Sequence, residues 1–314
     1  MSLSLPDDIQ AVFDCFITTE YVTVDAKGQP IAWPVTPYFE PGQPTIDITT
    51  GIGYPKKADD ASGHPQVALL FSDPTGSGLD APPQVLVQGT AEVDEADLKA
   101  NRERYRRESI EKLPATKEMM PPKFVEGLLG WYFDRIYVKT APERVLAWPG
   151  GNVTAAPETH GEARSPAGAA PAAAAGGEPV WDERIDELGS RYDSAVLAWV
   201  DADGYPLAAR LPVSADKDAR RIRLGAEPAG LPAPSGLACV TAHSHSPTFT
   251  WQENFQVRGE LERTDEGLAL VPRKMVGGFE LPNESRLAGL RRNFKKARRF
   301  AKISKERRRA RASS

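Results

Sequence analysis

Cysteine is scarce in this 314-residue chain: Cys15 and Cys239 are the only two, and they lie far apart. With no Cys-x-x-C spacing there is no sequence sign of a zinc or dithiol centre, and each cysteine reads as a small buried apolar residue. A structural disulfide is not expected in a reducing compartment. Redox chemistry, if the chain performs it, must come from a bound cofactor. Long apolar runs are missing as well. Nothing approaches the ~20 residues that a membrane-spanning helix needs. The opening Met1-Ser-Leu-Ser-Leu-Pro-Asp-Asp has neither the basic nor the apolar stretch of a signal peptide, so a cytoplasmic protein is expected. Of four histidines, His243 and His245 stand in one short stretch, a spacing open to metal or haem. With no carboxylate or thiolate beside them in sequence, they read more simply as satisfied loop histidines.

Charge of one sign is missing locally rather than overall. The net charge is −4, yet Arg286 to Ser314 holds thirteen Lys/Arg and one acid, Glu306, which leaves 26 basic and 42 acidic residues in 1–285. The tail carries Leu287, Leu290, Phe294 and Ala297 or Ala301 on one helical stripe. Such a helix can meet nucleic acid, anionic lipid or the protein's own acidic body, in the last case with Ile303 to Ser314 loose.

What is present is mostly strand. Asp7 to Phe16 predicts a helix with Pro6 before it and acids in its first turn. Tyr21–Asp25 and Gln29–Pro37, joined through Gly28, predict a hairpin whose prolines confine the second strand to an edge or a bulge. Thr45–Thr50 is a third strand; Val67–Phe71 and Gln84–Val93 make another pair. Ala96–Lys112 and Pro121–Trp131 have helical spacing, and Phe124, Leu128, Leu129 and Trp131 form a core stripe. Arg135–Gly150 reads as strand, turn and strand.

Residues 153–179 are mostly Ala, Gly, Pro and Glu, a flexible linker. Beyond it the pattern returns: Ala195–Arg210 answers Tyr21–Pro37, with Gly204 and Pro206 at the spacing of Gly28 and Pro30. Leu237–Ser244 answers Val67–Pro74, and Phe255-Gln-Val-Arg-Gly-Glu260 answers Leu86-Val-Gln-Gly-Thr90 around an aligned glycine. A tandem duplication follows. The expected domains are 1–152, a linker at 153–179, a degenerate second copy at 180–283 and a basic helical tail at 284–314. Counted from the glycines, Lys57 falls opposite Glu227 and Asp73 opposite His243. The copies thus differ at Thr49–Asp73, where a strand end, a turn with Lys56-Lys57 and a short polar helix gather positive charge and backbone N–H groups suited to phosphate.

Three features in order, Gly28 and Pro30 leading to Trp33-Pro-Val35, then Lys57 before Pro65-Gln-Val-Ala-Leu-Leu, then Gln84-Val-Leu-Val-Gln-Gly-Thr-Ala-Glu, resemble the FMN-binding split β-barrel superfamily. That superfamily includes pyridoxamine 5′-phosphate oxidase-like proteins and flavin- or deazaflavin (F420)-dependent oxidoreductases. The resemblance covers 1–150 well and 190–270 more faintly, and it implies a mainly β fold of two tandem split barrels. It further implies one FMN or F420 site in the first barrel: Lys57 and Lys56 on the phosphate, Thr49, Thr50, Gly51 and Tyr54 lining it, Trp33, Pro34 and Val35 beneath the ring, and Gln84 near the ring. Relatives often carry arginines around the lysine; Pro55, Asp59 and Asp60 stand here instead, and carboxylates repel phosphate. No catalytic acid or base is demanded, because the cofactor would carry the hydride. The implied function is hydride transfer to a small acceptor; a noncatalytic flavin- or haem-type binder or partner-docking protein is the alternative. Split barrels generally pair, and the two copies could do so within one chain as a pseudo-dimer, or the first could pair between chains.

Overall fold

The computed structural model describes residues 3–120, 129–161, 177–277 and 286–312. It is mainly β. The first unit runs α1 (Asp7–Cys15), β1 (Thr19–Val24), β2 (Pro30–Val35), β3 (Ile46–Gly51), α2 (Lys56–Gly63), β4 (Gln66–Phe71), β5 (Gln84–Asp94) and α3 (Leu98–Lys112). One-turn helices α4 (Thr116–Met119) and α5 (Gly130–Phe133) lead to β6 (Arg135–Trp148) and β7 (Glu158–Gly161). The second unit contains β8 (Ser194–Val200), β9 (Pro206–Asp216), β10 (Arg221–Leu224), β11 (Leu237–His245), β12 (Gln252–Thr264) and β13 (Gly267–Gly277). Helix α6 (Arg286–Ala312) follows.

The strand order is β2-β1-β4-β5-β6-β3 in the first unit, with β7 added beside β6, and β9-β8-β11-β12-β13-β10 in the second. Position for position the two orders agree. They part at the seam. In the second unit β9 pairs with β10 and closes the barrel, whereas β2 and β3 form no ladder and the first barrel is split.

Both units also carry one bulge at the same place. The register slips between Gln88 and Gly89, with Gly89 facing Pro142, and again between Arg258 and Gly259, with Gly259 facing Pro272. A Cβ on Gly89 would strike the Ala141 carbonyl oxygen and one on Gly259 that of Val271, so close backbone approach explains both aligned glycines. Each proline, which has no N–H to offer, sits where the ladder is already interrupted. For that reason 135–148 is one continuous strand, not the expected strand, turn and strand.

The register shifts the sequence alignment. Val67 faces Gly89 and Ala238 faces Gly259, so His243 is level with Ser72 rather than Asp73. Pairing of β3 with β6 and of β10 with β13 makes Ile46 and Ile222 counterparts, which brings Glu227 level with Gly51, not Lys57. No helix in the second unit corresponds to α2.

One face of the first sheet packs on the second barrel: Val22, Leu70, Leu86 and Trp148 share a buried cluster with Val196, Leu211 and Val240. The other face encloses a core with Phe13, Tyr21, Ile48, Ala58 and Val138. Polar bonds cross between units, among them Gln88 Nε2 to Pro206 O at 3.1 Å and Gln29 Nε2 to Ala238 O at 3.0 Å. His64, just before Pro65, places Nε2 2.9 Å from the Gly204 carbonyl oxygen of the second unit.

Three expectations meet the structure differently. Glu158–Gly161, inside the expected linker, pairs with β6, while 162–176 lies outside the described residues. Of the core stripe, Phe124 and Leu128 also lie outside them. The tail is not loose after Ile303: α6 continues to Ala312, Ser304 is buried, and Arg307 bonds to Glu95 and Asp59.

Candidate functional site

Ala58 and Ala61 bury one face of α2 in the first unit's core. Lys57 flanks that face and is half-buried, its Nζ 5.9 Å from the centre of the Trp33 ring on β2. Lys56 lies on the outer side, where it pairs with Asp60 at 2.9 Å and is 52% exposed. It therefore neutralises its own helix and does not join Lys57.

The turn before α2 is held tightly. Thr50 is fully buried and its hydroxyl donates to the Tyr54 carbonyl oxygen at 2.9 Å. Gly51 leaves room for the Tyr54 ring, which would stand 2.7 Å from a Cβ there. Thr49, Pro34 and Val35 are half-buried on the two strands that flank the open seam. Gly51 faces Arg135 across the β3–β6 ladder. The Arg135 guanidinium donates from Nη1 to the Tyr54 hydroxyl at 2.9 Å and lies 3.8 Å from the Tyr105 ring centre and 4.3 Å from that of Tyr132. Its Nε has no partner among the described residues.

A half-buried ammonium and a buried guanidinium thus share this region, close enough for the Arg135 charge to act on Lys57. Among the described residues no carboxylate comes within ion-pair distance of Lys57 or Arg135; the nearby acids are engaged elsewhere, Asp60 by Lys56, Asp134 by Arg102 and Arg308, and Asp59 by Arg307. Burial and then the Arg135 charge lower the Lys57 pKa to about 8, with Asp60 pulling the other way. The carboxylates that the sequence sets against a phosphate are accordingly compensated by their own partners.

Gln84 is buried on β5 facing the second unit, its Oε1 3.4 Å from the Arg210 backbone N, and its Nε2 has no partner among the described residues. The second unit meets β2 instead through Gln256 Nε2 and Thr241 Oγ1, which both donate to Ala32 O at 2.6 and 2.9 Å. Arg258 Nε donates to Gln256 Oε1 at 2.5 Å. Neither Arg135 nor Arg258 is marked by a local motif; only the pairing of distant strands brings them near the seam.

No protein-family model and no curated protein sequence matches the chain. Solved structures do resemble part of it. General Stress Protein 26 from Bacillus anthracis matches with a TM-score of 0.32 and 17% identity over 46% of this chain and 93% of its own. An F420 reductase matches with 0.33 and 16% over 45% and 98%, and HutZ, the haem storage protein from Vibrio cholerae, with 0.33 and 16% over 47% and 96%. These are likenesses of fold at low identity over less than half the chain.

A second polar cluster lies between the units. His243 Nε2 is 2.5 Å from Glu20 Oε1, and Arg210 Nη2 is 3.1 Å from the same oxygen. Ser72 Oγ donates to Glu20 Oε2 at 2.8 Å and accepts from Arg210 Nε at 2.9 Å. Asp73 Oδ2 is 3.6 Å from His245 Nε2. The two histidines therefore do have carboxylates beside them, from strands the sequence places far away. No set of three or more potential ligands suited to a metal occurs among the described residues. Arg210 is the register counterpart of Pro34, and its guanidinium is engaged by Glu20 and Ser72 of the first unit.

Proposed function

We propose that the chain binds one phosphate-bearing flavin-type cofactor, FMN or F420, at the Lys57 turn of the first unit, and acts as an oxidoreductase passing hydride to a small acceptor. The observation that carries this is the pair of half-buried Lys57 and buried Arg135, neither with a carboxylate within ion-pair distance among the described residues. A buried cation is normally paired, because leaving it uncompensated in a low-dielectric site is costly. A phosphate supplies that counter-charge with charge-assisted bonds. The residues present fit such a group: Lys57 would meet the phosphate, Arg135 would add its field from behind Tyr54, and the half-buried Trp33 offers an apolar wall beside the unpaired β2–β3 seam. When bound, the cofactor supplies the hydride chemistry, and the chain need only hold and orient it. The second unit lacks α2 and closes its seam, which favours a single site per chain.

Titrating the purified protein with FMN and with F420, followed by cofactor fluorescence, tests this. Losing one charge-assisted contact costs about 1.5–3 kcal/mol, so Lys57→Ala should weaken binding roughly 10- to 100-fold. Failure of both cofactors to bind, or equal binding by Lys57→Ala, overturns the proposal. Binding without turnover of any electron acceptor would leave a cofactor carrier in place of an enzyme.

A further inference from the structure

The turn that presents Lys57 is covered by the far end of the chain. The Phe300 ring on α6 lies 5.5 Å from that of Tyr54 and 5.4 Å from that of Trp131. Gly53 sits directly beneath: a Cβ there would come within 2.9 Å of Phe300 Cβ, of the Phe300 carbonyl oxygen and of the Trp131 carbonyl oxygen. About two turns further along, Arg307 grips Glu95 with Nε at 2.8 Å and Nη2 at 3.0 Å, while its Nη1 reaches Asp59 of α2 at 2.6 Å. Arg308 pairs with Asp134, the neighbour of Arg135. The helix thus touches the segments on both sides of Lys57, the Gly51–Tyr54 turn and the outer face of α2, and also the residue beside the second cation.

We propose that α6 is a brace for the anion site, with Phe300 and Arg307 as positioning residues that hold the turn and α2 where Lys57 is presented, so that a segment following the second unit sets the affinity of a site in the first. This rests on the Lys57 site binding a phosphate-bearing cofactor. It differs from a general stabilising role because it acts through Lys57. Releasing α6 admits water around Tyr54 and Lys57, and the ammonium then loses the burial that, with Arg135 and against Asp60, keeps its pKa low.

The test is a set of FMN and F420 titrations across pH on the full chain carrying Phe300→Ala, Arg307→Gln or Arg307→Lys, each also in a Lys57→Ala background. The expected result is a loss of affinity of roughly fivefold or more for Phe300→Ala and Arg307→Gln, a pH midpoint of binding moved upward, and partial recovery in Arg307→Lys. In the Lys57→Ala background the same changes should add little. Unchanged affinity and midpoint in Phe300→Ala and Arg307→Gln, or penalties that persist in full without Lys57, would overturn the brace while leaving the site intact. Absence of binding by the unaltered chain would overturn the site and the brace together.

Discussion

Lys57 owes its character to what surrounds it rather than to its neighbour Lys56. A lysine whose folded pKa lies near 8, against 10.5 ordinarily, is charged below about 8 and gives up its proton as pH rises through that value. Anion binding that depends on the ammonium should therefore be strongest below pH 8 and weaken above it. A binding constant measured from pH 6 to 10 checks this, with Lys57→Ala losing the transition. Gly53 offers a second test at this scale. Because a Cβ meets two backbone oxygens and Phe300, Gly53→Ala should displace α6 and destabilise the protein by about 1–3 kcal/mol, measured by denaturant unfolding. Single residues were unequally legible in the sequence. Lys57 stood out through its place before a short helix and a buried strand, but Arg135 did not, because its role comes from facing Gly51 across a ladder whose strands are more than eighty residues apart.

At the level of elements, the hairpins and their glycines were readable because turn chemistry is local: Gly28 and Gly204 have φ of 77° and 85°, which glycine adopts without strain. The bulges were half readable. Their glycines aligned, but the backbone contact that requires them is made with the following strand, so β6 was expected to break at Pro142. Gly89→Ala should consequently cost about 2 kcal/mol or more, since the obstacle is the Ala141 carbonyl and not a movable side chain, and denaturant unfolding would measure it. The absence of a β2–β3 ladder was legible on one side only: Pro34 and Pro37 confine β2 to an edge or a bulge, whereas β3 has an ordinary strand sequence, and comparison of the two closures reveals the open seam.

For the whole molecule, the two units are joined by a shared apolar cluster and by the Glu20, Arg210 and His243 network inside it. Sequence reasoning left pairing of the two units within the chain as one of two arrangements, because the contacts that join them link residues as distant as Glu20 and His243, separated by more than two hundred residues. Burial pushes the Glu20 pKa up, yet bonds from His243, the Arg210 charge and Ser72 more than offset it, and the net shift is downward. A carboxylate with a lowered folded pKa stabilises fully above its ordinary value and loses that contribution as pH falls through the folded one. Stability should thus decline on acidification below about pH 4.5, and less so in Glu20→Gln. Arg210→Met, which leaves the buried Glu20 carboxylate to His243 and Ser72 without its guanidinium partner, should cost about 3 kcal/mol at neutral pH by denaturant unfolding.

The most direct measurement is the stoichiometry and affinity of FMN and F420 on the unaltered chain beside Lys57→Ala. One cofactor per chain, with affinity falling roughly 10- to 100-fold on loss of the ammonium, is the predicted result. No binding of either cofactor, two per chain, or binding indifferent to Lys57 would contradict it.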